Sequence, residues 1–520
     1  MGETEAFKVV VIGAGPGGLV AAKELLEQDI RNIVVLEKGD RIGGLFSGSY
    51  DGLHLTSSAC FSMFSDMPIG AGEESRFWKK AEVVDYWHRY ASNFGVLPTI
   101  RFGTAVTSVD RLDDGRWVVA TMDGPSLIAD HVIIASGNNV HPVRPDWADA
   151  ATDVPCIHSA DYRSPADYEG RRVLVVGGGE SASDITLEIA EVAEQVFISL
   201  RNGAGWVTPR LRGALAADIS THRAFWKLPY WTGGRVSGKI IAADRKRGEK
   251  DAILAAVAGL NMSVATPYGL RGTFGTKSLG LPTAIARHGA KVTGGVDRVE
   301  EGGATFITQQ GERLTNIDAI VLATGFRSHV PFLQDGLSFR DPRTLFKNMI
   351  APEIGGSLIW LGFARPTFGS QFPVMEMQAR LAAQVVAGHL TLPDRNAMMA
   401  EAERDSRRWS VQFGHSGERV RGLIDYAHYM DDLARIVGCG PRLWRLLLTD
   451  PRLWLHVVYG PLQASQFRLH GPGAKPKLAR DIILGLPVSP FNTVVKAGLT
   501  ERLRDIVTLG PIRRRLRAGP

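Results

Sequence analysis

Apolar positions along the chain form two blocks that share one internal order. In the first block, an apolar strand over residues 7–12 runs into Gly13-Ala-Gly15-Pro-Gly-Gly18, and helical spacing follows to residue 27. A second apolar strand, Ile33–Leu36, then ends at Glu37. Short β-branched runs of this kind are typical of strands buried on both faces of a parallel sheet. The block predicts a strand, a glycine turn, a helix and a strand that ends in an acid.

The second block repeats this order with a base in place of the acid. A strand over 172–176 leads into Gly177-Gly-Gly179-Glu-Ser-Ala182, a helix follows over 184–193, and a strand over 196–200 ends at Arg201. Arg201 follows Gly177 by the same number of residues that separates Glu37 from Gly13. The two blocks therefore differ in the charge of the residue that ends their second strand.

The glycines and the terminal residue of each block predict a dinucleotide. Gly13 allows the tight turn, Gly15 lets the backbone approach a pyrophosphate, and Gly18 lets the helix pack on the strand. Glu37 accepts hydrogen bonds from ribose hydroxyls, which favours FAD, whereas Arg201 beside Ser199 favours the 2′-phosphate of NADPH. The alternatives are a glycine turn without a ligand and a solvated surface arginine.

The two blocks predict an α/β fold of two dinucleotide-binding, Rossmann-like domains, with the NADPH domain inserted into the FAD domain. Two further apolar strands run into small-residue turns at Gly137 and Gly325, where the chain is expected to cross between the domains. The predicted boundaries are 1–155 for the first part of the FAD domain, 156–316 for the NADPH domain with a helical insertion at about 207–275, 317–480 for the second part of the FAD domain, and 481–520 for a basic amphipathic tail.

Composition and charge exclude several other classes of protein. A chain of 520 residues that is 44% hydrophobic and 22% charged is globular and too long for one core. Its apolar runs stop well short of the roughly 20 residues of a spanning helix, and no signal peptide precedes the first strand, so we expect a cytoplasmic protein. The net charge of +6 is concentrated in residues 491–520, which leaves no broad basic surface for nucleic acid.

The C-terminal tail allows two interpretations. Residues 499–510 place apolar side chains along one helical side, and four arginines follow within 512–517. This pattern predicts peripheral contact with an anionic membrane surface, or a helix whose apolar side packs on the body of the protein.

Cys60, Cys156 and Cys439 are far apart in sequence, so they form no CxxC pair. A dithiol reductase and a metal centre are therefore disfavoured.

Several motifs resemble the flavin-containing monooxygenases, which are class B flavoprotein monooxygenases, and the likeness extends to about residue 480. The matching stretches, in order, are EKGDRIGGLF (37–46), YDGLHLT (50–56), FSDMP (64–68), HSADYR (158–163), FGTK (274–277), ATGF (323–326), PVMEMQAR (373–380), YMDDL (429–433), TDP (449–451), GP (460–461) and QFR (466–468). Their order over most of the chain is more specific than any single match.

The resemblance implies an FAD- and NADPH-dependent monooxygenase that acts on a small-molecule substrate and dioxygen. Such an enzyme forms a flavin C4a-hydroperoxide and oxygenates a soft nucleophilic nitrogen or sulfur centre. Ser57, Ser58 and Tyr162 are the residues implied to be catalytic. The residues expected to contact the cofactors are Gly13, Ala14, Gly15, Pro16, Gly17, Gly18, Glu37, Lys38, Gly44, Leu45, Phe46, Thr56, Gly137, Gly177, Gly179, Ser181, Ser199, Arg201, Thr324 and Gly325.

Departures from the family pattern keep other functions open. Many members have an asparagine where this chain has Thr56-Ser57-Ser58, so an NADPH oxidase that releases hydrogen peroxide is one alternative. Baeyer-Villiger oxygenation of a ketone is a second, although Tyr162 stands where that branch has tryptophan. A nucleotide-binding sensor without turnover is a third. The pattern predicts neither the substrate nor the oligomeric state.

Two local expectations concern the region between the predicted cofactor sites. His158 and Tyr162 are four residues apart, which on a helical turn would place both on one face near the nicotinamide. The aromatic and basic stretch over residues 206–247 predicts either the wall of a substrate tunnel or a packed insertion.

Overall fold

The structure is a computed structural model, which we describe over residues 5–264, 266–300, 304–333, 341–414, 422–488, 500, 503, 504 and 507. In these residues the helices are α1 (Pro16–Glu27), α2 (Ala59–Ser62), α3 (Lys80–Asn93), α4 (Glu180–Ala190), α5 (Arg223–Trp226), α6 (Gly233–Gly248), α7 (Ala252–Met262), α8 (Gly280–His288), α9 (Gln371–Val386), α10 (Arg395–Phe413), α11 (Tyr426–Val437), α12 (Leu443–Thr449), α13 (Pro451–Tyr459) and α14 (Pro476–Gly485).

The strands in the same residues are β1 (Glu5–Ile12), β2 (Ile33–Leu36), β3 (Ile100–Arg101), β4 (Val106–Arg111), β5 (Trp117–Thr121), β6 (Leu127–Ile134), β7 (His141–Pro142), β8 (Cys156–His158), β9 (Arg172–Val176), β10 (Gln195–Leu200), β11 (Trp206–Val207), β12 (Leu211–Arg212), β13 (Leu215–Ala216), β14 (Gly275–Thr276), β15 (Lys291–Gly294), β16 (Val296–Val299), β17 (Phe306–Thr308), β18 (Arg313–Leu314), β19 (Ala319–Leu322), β20 (Phe326–Arg327), β21 (Leu358–Trp360), β22 (Arg365–Pro366) and β23 (Leu423–Ile424).

The first sheet has the order β3-β2-β1-β6-β5-β4, with β21 also paired to β6. The first half of β6 pairs antiparallel with β5, and its second half pairs parallel with β21. Strand β1 lies between β2 and β6 and is parallel to both. The first glycine turn therefore leaves the sheet where the strand order reverses, which is the usual ligand-binding edge of an open α/β sheet.

The second sheet, β15-β10-β9-β19-β8, is parallel throughout. Strand β9 lies between β10 and β19, so the second glycine turn also leaves its sheet at a reversal of strand order. Together the two sheets and their helices confirm the predicted fold class.

The predicted start of the second FAD-domain part at residue 317 is wrong by several residues. Strand β19 (Ala319–Leu322) pairs with both β8 and β9, so it is an interior strand of the second sheet. The chain leaves this sheet only after residue 322. The start of the second domain at residue 156 agrees with β8, which begins there.

Alternating side chains on the central strands supply a core on each face of each sheet. Val9 and Val11 face a core that includes α1 and α9, whereas Val10 and Ile12 face the opposite one. Val173 and Val175 likewise face α4 and α8, and Leu174 faces the other side. Burial on both faces is what the unbroken apolar runs of the sequence predict.

The insertion predicted at about 207–275 contains α5, α6 and α7 and connects the two domains. Phe225, Trp226 and Val236 belong to the core of the first domain, whereas Val257 and Leu260 of α7 belong to the core of the second. The insertion therefore packs on both domains, and its contacts fix the space that lies between them.

The end of the chain is described only in part. Helix α14 spans the predicted boundary at 480/481, and most of the predicted tail helix lies outside the described residues. Of its apolar side, Leu503 and Val507 are described, and both are exposed. Within the described residues, every helix falls short of the length and apolar character that a bilayer crossing requires.

Candidate active site

The first glycine turn has the shape that close approach of a phosphate requires. Gly13 has a φ of +107°, and a Cβ there would lie 2.7 Å from the Ala135 carbonyl oxygen. A Cβ on Gly18 would lie 1.8 Å from the Gly13 carbonyl oxygen, so Gly18 packs the helix on the turn. The nearest atom to a Cβ on Gly15 is Gly44 Cα, at 3.9 Å. The backbone at Gly15 is thus open to a phosphate at the N-terminus of α1.

Glu37 lies at the end of β2, where the sequence predicts it, and is almost buried. Its carboxylate accepts hydrogen bonds from the backbone amides of Ala14 and Gly39, each at 2.8 Å. Both oxygens keep a further lone pair. The glycine turn and the acid are therefore held together, and Glu37 remains the predicted ribose contact.

The second glycine turn has a similar backbone shape. Gly177 has a φ of +130°, and a Cβ there would lie 2.3 Å from the Ala323 carbonyl oxygen. Nothing lies within 4 Å of the position of a Cβ on Gly179. Ala135 and Ala323 belong to the two small-residue turns at Gly137 and Gly325, so each of those turns supports one glycine turn.

A crevice of about 980 Å³ opens beside the second turn. Gly177, Gly179, Thr324 and Gly325 line it together with Arg201. Arg201 is exposed, and no hydrogen bond or ion pair to its guanidinium is found among the described residues. The guanidinium is therefore available to a 2′-phosphate.

Ser199, in contrast, does not line this crevice, and its predicted phosphate contact is wrong. Its side chain is 2% exposed. The hydroxyl donates to the Gly294 carbonyl at 3.0 Å and accepts from the Val296 amide at 3.3 Å. Both partners belong to the adjoining strands, so Ser199 stabilises the sheet edge beside Arg201 and leaves the charge of Arg201 as the selective feature.

Sequence reasoning missed a second guanidinium in the crevice. Arg365 forms β22 with Pro366 and comes from the first domain, yet it lines the crevice of the second. Its charge interacts with Glu180, the first residue of α4. Arg365 does not end a strand of either glycine-turn block. No pattern in the sequence therefore indicates that it lies at this crevice.

Ser57 and Ser58 lie where two separate segments meet, and both are buried. The Ser58 amide and hydroxyl donate to the two carboxylate oxygens of Asp218, at 2.7 and 2.8 Å. The Ser57 hydroxyl lies 3.0 Å from that of Ser62 and accepts from Ser370 at 3.2 Å. Since Ser370 is the N-cap of α9, the hydroxyl run joins the start of α9 to Asp218 of the insertion.

Tyr162 is placed in a core, which contradicts its predicted catalytic position. It is 1% exposed, packs between Tyr50 and Tyr168, and its hydroxyl donates to Glu188 of α4 at 2.8 Å. The chain after β8 is a turn rather than the expected helical turn, so His158 and Tyr162 do not share a face. Burial and the Glu188 carboxylate raise the pKa of Tyr162, which therefore stays protonated.

His158 does connect the end of β8 to the crevice. Its Nδ1 accepts from the Ala160 amide at 3.1 Å, and its Nε2 lies 3.1 Å from the Gly325 carbonyl. Nε2 must then carry the proton, and burial lowers the pKa of this histidine. A neutral His158 thus fixes the turn at Gly325 beside the second glycine turn.

Three other predicted contacts form one element beside the first turn. Gly44, Leu45 and Phe46 form a short 3₁₀ helix, in which Phe46 packs edge-on against Trp87 at 5.1 Å. Lys38 is exposed. The remaining predicted contacts are Pro16, Gly17, Thr56, Gly137 and Ser181, and their contact with a cofactor stays a prediction.

A separate cavity of about 640 Å³ lies between the domains. Trp206, Phe225, Trp226 and Phe368 give it aromatic walls, and Lys277 is among its polar residues. Trp206 and Trp226 of the predicted stretch thus line a cavity, whereas Tyr230 and Trp231 do not, and a substrate tunnel stays a prediction. Trp206 of β11 lines this cavity, whereas Phe274, which directly precedes β14, lines the crevice.

Buried charges hold the first domain together behind its glycine turn. Arg468 is fully buried, donates to Glu376 and Ser65 at 3.0 and 2.9 Å, and pairs with Glu24 of α1. Lys23 adds a second buried cation that pairs with Asp66. The neighbouring carboxylates are thus neutralised by side chains, and Glu376 connects α9 to Arg468 and Ser65.

Comparisons with known proteins agree with this geometry. The family model "Flavin-binding monooxygenase-like" matches residues 6–228 and 266–507. The chain is 32% identical to a 4-hydroxybenzoate brominase (decarboxylating) of Marinomonas mediterranea over 92% of this chain and 93% of that one. It is 31% identical to dimethylaniline monooxygenase [N-oxide-forming] 2 of Cavia porcellus, over 90% and 89%.

Among solved structures, S-allyl-L-cysteine S-oxygenase from Allium sativum superposes with a TM-score of 0.60 at 21% identity. The alignment covers 86% of this chain and 92% of that one, and it supports the fold. The family model does not match residues 229–265. Those residues contain α6 and α7, and Ile240 of α6 lines the cavity.

Proposed function

The chain belongs to the flavin-binding monooxygenase-like family, and from this premise we propose that it oxygenates a soft nitrogen or sulfur centre of a small molecule. The family consists of FAD- and NADPH-dependent monooxygenases, so the predicted enzyme class and both cofactors are confirmed by membership. The observation that carries the finer proposal is the pair of glycine turns, one beside Glu37 and one beside Arg201, with an aromatic cavity between the domains.

The residues of this chain fit both cofactors. Among the glycines of the two glycine turns, only Gly15 and Gly179 have open space at the position of a Cβ, which leaves the two helix N-termini free for pyrophosphates. When bound, FAD reduced by NADPH supplies the electrons that activate dioxygen. Glu37 would hold the ribose of FAD, and Arg201 and Arg365 would hold the phosphates of NADPH.

Other side chains would fix the segments around the space between the cofactors and exclude water from it. His158 fixes the turn at Gly325, and Ser370 caps α9, whose first residue Gln371 donates to the Gly362 carbonyl at 2.6 Å. Phe368 and Trp226, with ring centroids 4.8 Å apart, exclude water from one side of the cavity. A dry and fixed site protects a reactive oxygen donor from hydrolysis.

The test is to purify the protein, record its visible spectrum, and add NADPH under air with separate panels of amines, sulfides and ketones. We expect a flavin spectrum and substrate-dependent NADPH consumption that yields N-oxides or S-oxides, identified by mass spectrometry. Esters from the ketones would instead establish Baeyer-Villiger oxygenation. Hydrogen peroxide in proportion to NADPH, with no oxygenated product, would establish an oxidase.

A second candidate function is suggested by the brominase of Marinomonas mediterranea, which is similar to this chain over nearly its whole length. The same assay with bromide and 4-hydroxybenzoate distinguishes it, because a brominated product would require bromide. If bromide left the products and the NADPH consumption unchanged, this candidate would be rejected.

We also propose that this protein is cytoplasmic and makes peripheral contact with an anionic membrane through the C-terminal tail. Trp444 and Leu448 of α12 are 71% and 75% exposed, beside Arg445. Leu503 and Val507 of the tail are exposed as well. Exposed apolar residues among arginines suit an interface with anionic lipid.

Sedimentation with anionic vesicles tests this contact. The full chain should pellet at low salt and be released at high salt, and a chain that ends at Pro490 should pellet less. Trp444→Ser with Leu448→Ser, made in the full chain, measures the contribution of α12. If the full chain remains in the supernatant at low salt, the contact does not exist.

A further inference from the structure

The cavity between the domains contains a cation that no acidic side chain neutralises. Lys277 follows β14 and is 7% exposed. Its Nζ donates to the Gly369 carbonyl at 2.9 Å, and within the described residues no carboxylate lies within ion-pair distance of it. A buried ammonium with a single neutral partner is costly, and an anion in the cavity would compensate it.

The other charged groups of the cavity do not cancel this charge. Asp218 gives both carboxylate oxygens to Ser58, and Arg212, at the exposed end of the cavity, adds a second cation. His222 uses Nδ1 to accept from the Phe225 amide, and burial lowers its pKa to about 4, so its ring is neutral. The lining therefore carries one more positive than negative charge.

The walls of the cavity indicate the rest of the ligand. Trp206, Trp226 and Phe368 offer ring surfaces, and aromatic faces favour flat aromatic partners. Lys277 also lies next to the start of α9, since its partner Gly369 immediately precedes the N-cap Ser370. The anion would thus lie near the positive end of a long helix.

We propose that this cavity selects an aromatic organic anion and that Lys277 binds its carboxylate. The inference rests on the proposed function, because it names the class of substrate that the monooxygenase would accept. Lys277 acts here as a specificity-determining residue that contacts the substrate at the end away from the oxidised centre.

The test measures binding without turnover. Isothermal titration calorimetry of the purified, flavin-loaded protein, without NADPH, compares benzoate with benzamide, which has nearly the same shape and no charge. Benzoate should bind about ten- to a hundredfold more tightly, as expected for one charge-assisted contact. Lys277→Gln keeps a donor for the Gly369 carbonyl and should remove this preference, whereas Lys277→Arg should retain most of it.

Lys227→Gln is the matched control, because Lys227 belongs to the same insertion but pairs with Asp431 and does not line the cavity. It should keep the wild-type preference. Equal affinities of the wild type for benzoate and benzamide, or an undiminished preference in a folded Lys277→Gln variant, would overturn the inference. Neither result depends on NADPH consumption, so a failure of the proposed oxygenation and a failure of the anion site remain distinguishable.

Discussion

The two glycine turns have the same backbone geometry but lie in opposite surroundings. Around the first, α1 is buried from Gly17 to Leu25, and a Cβ on Gly17 would lie 3.0 Å from Leu361. Around the second, the first residues of α4 are only partly buried and Arg201 is exposed to the crevice. An enclosed turn suits a cofactor that stays bound, and an open one suits a cofactor that enters and leaves with each turnover.

The largest loss of stability should follow the removal of a buried charge that supports the first turn alone. Arg468→Met would leave Glu376 buried without an ionic partner and Glu24 with Lys23 alone, at a cost of about 3–5 kcal/mol. Arg210→Met is the matched change behind the second turn, where Arg210 pairs with Asp184 at 26% and 13% side-chain exposure. It should cost about 1 kcal/mol or less. Thermal unfolding midpoints compare the two variants. Similar losses of stability would contradict the claim that buried charges support the first turn more strongly than the second.

The next effect concerns which turn holds the flavin. Gly15→Val places a side chain in open space, so the protein should fold but bind FAD at least tenfold more weakly and purify nearly colourless. Gly179→Val is the equivalent change in the second turn. It should keep stoichiometric FAD, measured by its absorbance against protein concentration, and need at least tenfold more NADPH for half-saturation. Stoichiometric FAD in Gly15→Val would show that the flavin binds elsewhere.

The smallest effect is expected for Ser199, which lies beside Arg201 but does not line the crevice. Ser199→Ala removes the hydrogen bonds to Gly294 and Val296, which should cost about 1 kcal/mol of stability. The NADPH concentration at half-saturation should change less than twofold, since the hydroxyl does not reach the crevice. A tenfold rise would restore Ser199 as a phosphate contact.

The sequence was most informative where local pattern decides the structure. The order of strand, turn and helix was predictable because buried strands and glycine turns are read from neighbouring residues, and β2 and β9 agree with their predicted limits. Ser199 was misjudged because neighbouring residues of a strand face different partners. Tyr162 was misjudged because the spacing was interpreted as helical where the chain forms a turn.

What the sequence could not indicate is how distant segments meet. Asp218 reaches Ser58 across 160 positions, and Arg365 reaches the NADPH crevice from the other domain. Lys277 was recognised as part of a motif, yet its place in the aromatic cavity depends on how the insertion packs on both domains. Such contacts follow from tertiary packing, which leaves no periodic pattern along the chain.

The central claim is that the charge of one residue assigns NADPH to the open turn. The most direct measurement is anaerobic bleaching of the protein-bound flavin, titrated with NADPH and with NADH, in the wild type and in Arg201→Ala. The wild type should be half-saturated by NADPH at a concentration at least tenfold below that for NADH. Arg201→Ala should weaken NADPH by about ten- to a hundredfold and leave NADH nearly unchanged. Equal loss with both nucleotides, or no preference in the wild type, would contradict the claim.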